Sequence, residues 1–91
     1  MSLAMAAEVI EDLAHGNRPG KCELHEAAVG LRDLYWTAAS RDIISSVDII
    51  DAIGLVNHAL SGALPRLNSA GRARSFRLAA VMRRVSTDLR R

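Results

Sequence analysis

The chain has 91 residues, of which 49% are hydrophobic, 24% charged and only 3% aromatic. This length fits a single domain spanning residues 1–91 with one modest core, and the apolar content excludes an intrinsically disordered chain. The single cysteine, Cys22, excludes an internal disulfide. A lone cysteine also favours a reducing compartment, so we expect a cytoplasmic protein.

No targeting or membrane segment is predicted. The first residues, MSLAMAAEVIEDL, are apolar, but they lack a basic leading segment and soon reach Glu8, Glu11 and Asp12, unlike a signal peptide. No apolar run approaches the roughly 18–20 residues of a membrane span. We therefore expect no membrane partner. Arginine outnumbers lysine eleven to one, which favours a GC-rich bacterial or phage gene.

The formal net charge of +2 conceals a strong asymmetry along the chain. Residues 1–64 contain four basic and nine acidic residues, a net of −5, whereas residues 65–91 contain eight arginines and one aspartate, a net of +7. The sequence thus describes an acidic body followed by a basic tail.

The first predicted helix runs from about residue 3 to 14, with Ser2 as its N-cap. His15 is predicted to cap its C-terminus, and Gly16 to follow in the left-handed conformation. One face of the helix is apolar and carries Ala6, Val9, Ile10 and Leu13.

The second predicted helix, about 22–39, has two faces of interest. Its core face is formed by Leu24, Ala27, Ala28, Leu31, Leu34, Tyr35, Ala38 and Ala39. A mixed flank carries His25, Val29, Arg32 and Trp36 at i, i+4, i+7 and i+11. Trp and Arg are enriched at interface hot spots, so this flank is a candidate partner-binding surface. Burial of Trp36 under a neighbouring helix is the alternative.

The third predicted helix, about 46–61, is the most apolar and is expected at the centre of the core. Ile49, Ile53 and Val56 follow its apolar stripe, which Ile50 widens. Ser45 and Asp48, three residues apart, predict a capping box at its start.

The run SSVDIIDAI within this region is similar to the serine region of acyl carrier proteins. Over these nine residues the resemblance implies that Ser46 is an attachment point for phosphopantetheine. The run differs from those carriers at Ser45, where they usually have Asp, and the chain has its second helix where they have a loop. A capped amphipathic helix is the alternative interpretation of the same residues.

The fourth predicted helix, about 73–89, follows the hinge GALPRLNSAG. Its apolar face carries Leu78, Val81, Met82, Val85 and Leu89. Phosphate contacts along nucleic acid, or contacts to an acidic partner, are predicted for Arg72, Arg74, Arg77, Arg83 and Arg84. Phe76 lies among these arginines and could stack a base. The alternative is a solvated helix back, whose arginines pair with Asp88 and with the acidic body.

No pattern in the chain predicts catalysis. Cys22 and His25 are close enough for a nucleophile and its base, or for two metal ligands, but no third partner stands at a recognisable spacing. No phosphate-binding glycine loop, dinucleotide fingerprint or zinc-protease motif is present. We expect no catalytic residue, no metal and no cofactor, and therefore no enzyme.

The predicted fold is all-α, a small four-helix bundle-like domain that forms a homodimer. Its middle two helices are expected to pair, with the fourth folded back over them. The predicted function is that of a non-catalytic regulatory, adaptor or inhibitor protein that binds another protein. The alternative is a nucleic-acid-binding regulator whose basic C-terminal helix contacts phosphates.

Overall fold

The computed structural model describes residues 3–38, 44–63 and 66–89, and these residues form α-helices and no strand. The helices are α1 (Leu3–Ala14), α2 (Lys21–Ala38), α3 (Ser46–Leu60) and α4 (Ser69–Leu89). The all-α prediction is confirmed for this part of the chain, and the first three helices match their predicted bounds closely. The predicted N-cap Ser2 and the predicted helix end Ala39 lie outside the described residues.

α1 is the centre of the core, because α2 and α4 both pack against it. Half of its twelve residues are buried, and Ile10 and Leu13 are among the most deeply buried side chains of the described chain. The buried alanines Ala6 and Ala7 carry only a methyl group, so neighbouring helices can approach α1 closely. The core face of α2 is confirmed from Leu24 to Leu34.

The predicted central position of α3 is wrong. α3 packs mainly against α2 and makes few contacts with α1 and α4, while α4 packs mainly against α1. The fourth helix therefore folds over the first and not over the middle pair. Val47 and Ile50 of α3 remain 62% and 53% exposed, so the apolar breadth of this helix does not reflect burial on all sides.

The end of α1 follows its prediction. Gly16 adopts a φ of 84°, in the left-handed region that glycine tolerates. Its backbone N–H and those of His15 and Asn17 donate to the last carbonyls of the helix. The His15 Nδ1 atom lies 2.9 Å from the Glu11 carbonyl oxygen, which is the predicted C-terminal cap.

The predicted capping box of α3 is wrong in its side-chain contacts. Ser45 occupies the N-cap position, and its carbonyl accepts a hydrogen bond from Ile49 N–H at 3.2 Å. Its side chain makes no capping hydrogen bond. The Ser–Asp spacing therefore marked where the helix begins but not how its first N–H groups are satisfied.

α4 begins at Ser69, four residues before its predicted start at 73. The Asn68 side-chain oxygen accepts a hydrogen bond from Gly71 N–H at 2.7 Å, and the Asn68 carbonyl accepts one from Arg72 N–H at 2.9 Å. Asn68 is thus an N-cap. Because the helix begins directly after it, α4 includes Gly71, which the sequence analysis had assigned to the hinge.

Replacing Asn68 with Ala is expected to lower the free energy of unfolding by about 0.5–2 kcal/mol, the usual loss when an N-cap side chain is removed. Asn68→Asp is the matched control, because it keeps the acceptor oxygen and should remain close to wild type. Urea denaturation followed by circular dichroism measures both. If both variants lost the same free energy of unfolding, the side-chain oxygen of Asn68 would not be acting as the cap.

Candidate partner-binding surfaces

The α2 stripe, defined as His25, Val29, Arg32 and Trp36, lies on the outside of the molecule. Trp36 is 73% exposed and Val29 is 54% exposed. His25 and Arg32 are exposed as well. The Trp36 ring meets only the edge of the adjacent Tyr35 ring among the described aromatic contacts, at 5.5 Å between centroids. Burial of Trp36 under another helix of this chain, the alternative interpretation, is therefore wrong.

Charges of opposite sign flank the apolar middle of this stripe. At 100° per residue, Val29 and Trp36 lie between Arg32 on one side and the pair Glu26 and Asp33 on the other. We call Glu26 and Asp33 the acidic edge of α2, and both are exposed. The outer surface of α2 is thus an apolar strip with a basic border and an acidic border.

Two of the described arginines of α4 form ion pairs with acidic residues of other helices, and three do not. Arg83 forms an ion pair with Glu11 of α1, and Arg74 forms one with Asp51 of α3 at 3.4 Å. The acidic body therefore supplies partners for the basic helix, as the solvated-back interpretation predicts. The remaining exposed arginines of this helix, Arg72, Arg77 and Arg84, make no ion pair with any described residue.

Phe76 is turned toward α1. It is half-buried, and its ring meets His15 edge-to-face at 4.9 Å between centroids. Its neighbours Arg72 and Arg83 share this side of α4. The Asp88 side chain, which was predicted to pair with Arg84 and Arg91, lies outside the described residues, as does Arg91.

A groove separates α3 from α4, and we call it the α3–α4 groove. It consists of two adjoining clefts of about 250 and 370 Å³ that share Asp48, Arg74 and Leu78. Asp48 and Asp51 line the α3 side, and Arg74 and Arg77 line the α4 side. The remainder is lined mostly by apolar side chains, with Ser45, Gly71 and Ser75 among them; the apolar ones are Ile44, Ala52, Leu55, Leu67, Leu78 and Val81.

Sequence reasoning missed this groove because its two walls are more than twenty residues apart in the chain. The groove exists because α3 packs mainly against α2 and makes few contacts with α4. The side of α3 that faces α4 is therefore only partly covered.

The residues considered for catalysis, metal binding or covalent attachment are not gathered into one site within the described part of the chain. Cys22 and His25 are both exposed near the start of α2. The described residues contain no group of three or more His, Cys, Asp or Glu side chains that could hold a metal ion. Ser46 is exposed as the first residue of α3. No helix within the described ranges has the length and apolarity needed to cross a bilayer.

Comparisons with known proteins found no match for this chain among protein-family models, curated proteins or solved structures.

Proposed function

We propose that this chain is a non-catalytic regulatory, adaptor or inhibitor protein that binds another protein through the α2 stripe. The observation that carries the proposal is the exposure of Trp36, the only tryptophan of the chain, at 73%. Trp and Arg dominate interface hot spots, and Arg32 lies one helical turn from Trp36 on the same stripe.

The binding energy that Trp36 could supply depends on the area that a partner would cover. An aromatic side chain buries roughly 150–250 Å², and apolar burial contributes about 25 cal/mol per Å². Covering Trp36 is therefore worth roughly 4 kcal/mol before the costs of association. Val29, half-exposed two helical turns away on the same face of α2, adds to the apolar area that such a partner would dehydrate.

Electrostatics would guide the encounter. Arg72, Arg77 and Arg84 are exposed and carry no ion pair among the described residues, so α4 presents a positive surface beside an acidic body. Long-range attraction of this kind raises association rates more than it raises affinity. We propose in addition that the partner is acidic, that binding takes place in the cytoplasm, and that the protein forms a homodimer.

The test uses wild-type protein and its variants as matched baits in native extract, with retained proteins quantified by mass spectrometry. A specific partner should be retained by wild type and should bind Trp36→Ala at least about 30-fold more weakly, the loss of a hot spot of about 2 kcal/mol. Val47→Ala, at an exposed apolar position of α3, is the control and should retain the partner. Equal retention by both variants contradicts the proposal.

Nucleic-acid binding is the second candidate, and it is favoured by the three arginines of α4 that pair with no described residue, Arg72, Arg77 and Arg84. In that case, duplex DNA should bind at low salt and lose affinity steeply as salt rises, because each phosphate contact releases counterions. Fluorescence anisotropy with labelled DNA measures this. Loss of binding in Arg77→Ala and Arg84→Ala, with Trp36→Ala unaffected, would replace the first proposal with this one.

A further inference from the structure

We propose that the α2 stripe of one copy docks into the α3–α4 groove of a second copy of this chain. The proposal rests on the proposed function, because it uses the same stripe, and it names the partner as the chain itself. The two surfaces lie on different helices of each copy, so every molecule carries both halves of the contact.

The groove offers an apolar floor between walls of opposite charge. Leu55 and Leu78 contribute to the floor, Asp48 to the acidic wall and Arg77 to the basic wall. The clefts, at about 250 and 370 Å³, lie at or below the lower end of the roughly 300–1,000 Å³ of pockets that enclose small ligands. They are also open, which suits side chains entering from a neighbouring helix more than an enclosed ligand.

The outer surface of α2 carries an apolar strip between two charged borders, as the groove carries apolar side chains between two charged walls. Its apolar strip, Val29 and Trp36, would lie along the floor. Its acidic edge, Glu26 and Asp33, would face the arginines of α4, while Arg32 would face the aspartates of α3. A helix can lie in a groove in either direction, and one of the two directions always sets opposite charges against each other.

One existing contact must yield to this docking. The Arg74–Asp51 ion pair joins the two walls at 3.4 Å, and both side chains are more than half exposed. An ion pair so accessible to water contributes little to stability. Docking would exchange it for pairs between the chains, in a site from which the incoming apolar strip excludes water.

Each copy of the chain can offer its stripe to the second copy and accept the stripe of that copy in its own groove. If two copies exchange stripes about a two-fold axis, a closed dimer results, and if the geometry does not close, the same contact repeats into longer chains. Both outcomes are self-association through the same two surfaces, so the test is made on the contact and not on the number of copies.

Sedimentation equilibrium over a micromolar to near-millimolar range measures the association of the full chain. The average mass should rise with concentration, and the emission of Trp36 should shift to the blue in parallel, since it is the only tryptophan. Trp36→Ala should weaken association at least about 30-fold, as expected for a central aromatic anchor. A chain that stays monomeric throughout, with unshifted emission, overturns the proposal.

Charge reversal tests the pairing itself. Glu26→Arg with Asp33→Arg, and separately Arg74→Glu with Arg77→Glu, should each weaken self-association at least about tenfold, because like charges then face each other. Mixing the two double variants should restore association, since each surface again meets its opposite. The matched control reverses Arg18 and Arg66, two exposed arginines outside both the groove lining and the α2 stripe, and should associate as wild type does.

Folding of each variant is checked by its thermal unfolding midpoint. If Arg74→Glu/Arg77→Glu proves unstable, the single neutral change Arg77→Gln replaces it, because Arg77 makes no ion pair with the described residues. Failure of the mixture to associate, or equal weakening in the control, overturns the docking. A monomer that still retains another protein through Trp36 leaves the proposed function standing.

Discussion

Replacing Ile10 with Ala is expected to lower the free energy of unfolding by about 2–5 kcal/mol, the range found when a buried aliphatic side chain is truncated. Ile10 is completely buried in α1, and the helices on both sides of α1 limit how far the cavity can collapse. A chain of this length has roughly 5–14 kcal/mol of stability in all, so the loss removes a large share of it.

The same substitution at Ile50 is the matched control. This side chain is 53% exposed on α3, and its loss should cost about 1 kcal/mol or less, since little apolar area is returned to water. Urea denaturation followed by circular dichroism measures both changes, and Ile10→Val serves as a milder variant with a loss of about 0.5–1.5 kcal/mol. Equal losses at the two positions would contradict the burial of Ile10 and the exposure of Ile50.

Replacing Met82 with Ala is expected to cost about 2–5 kcal/mol as well, through a different contact. Met82 is completely buried on α4, the helix that packs mainly against α1. Loosening this contact exposes part of α1, so amide hydrogens of both helices should exchange faster, while those of α2 change less.

Arg84→Ala is the control for this change, because Arg84 is exposed on the same helix and a surface substitution there should remain within about 0.5 kcal/mol of wild type. Dilution provides a second check. If α4 docks on its own chain, the loss at Met82 is independent of protein concentration. A loss that grows on dilution would contradict this and assign the α4 contact to a second chain.

The exposed arginines and the exposed tryptophan have separate roles in the proposals. Trp36 and Val29 supply apolar area that a partner removes from water, while Arg77 and its neighbours supply charge that orients the encounter. The charge asymmetry of the sequence is partly resolved inside the fold, through Arg83–Glu11 and Arg74–Asp51. What remains unpaired is available to a partner.

Local patterns in the sequence were sufficient for the helices and for the faces along them. The 3.6-residue period predicted the helices and the core face of α2 from Leu24 to Leu34, and Gly16 was predicted to end α1. These features depend on neighbours within one or two turns, which is why sequence alone could specify them. The start of α4 was predicted late because the segment through Gly71 was assigned to the hinge, whereas the Asn68 side chain caps a helix that already includes Gly71.

Contacts between helices decided the rest. Apolar content placed α3 at the centre, but the alanines of α1 let two helices approach it, and that packing put α1 there and left Ile50 exposed. The exposure of Trp36 and the α3–α4 groove likewise depend on which faces meet in three dimensions. Amphipathic period specifies that a face is apolar, but only the arrangement of all four helices specifies which apolar faces find a partner and which remain for another chain.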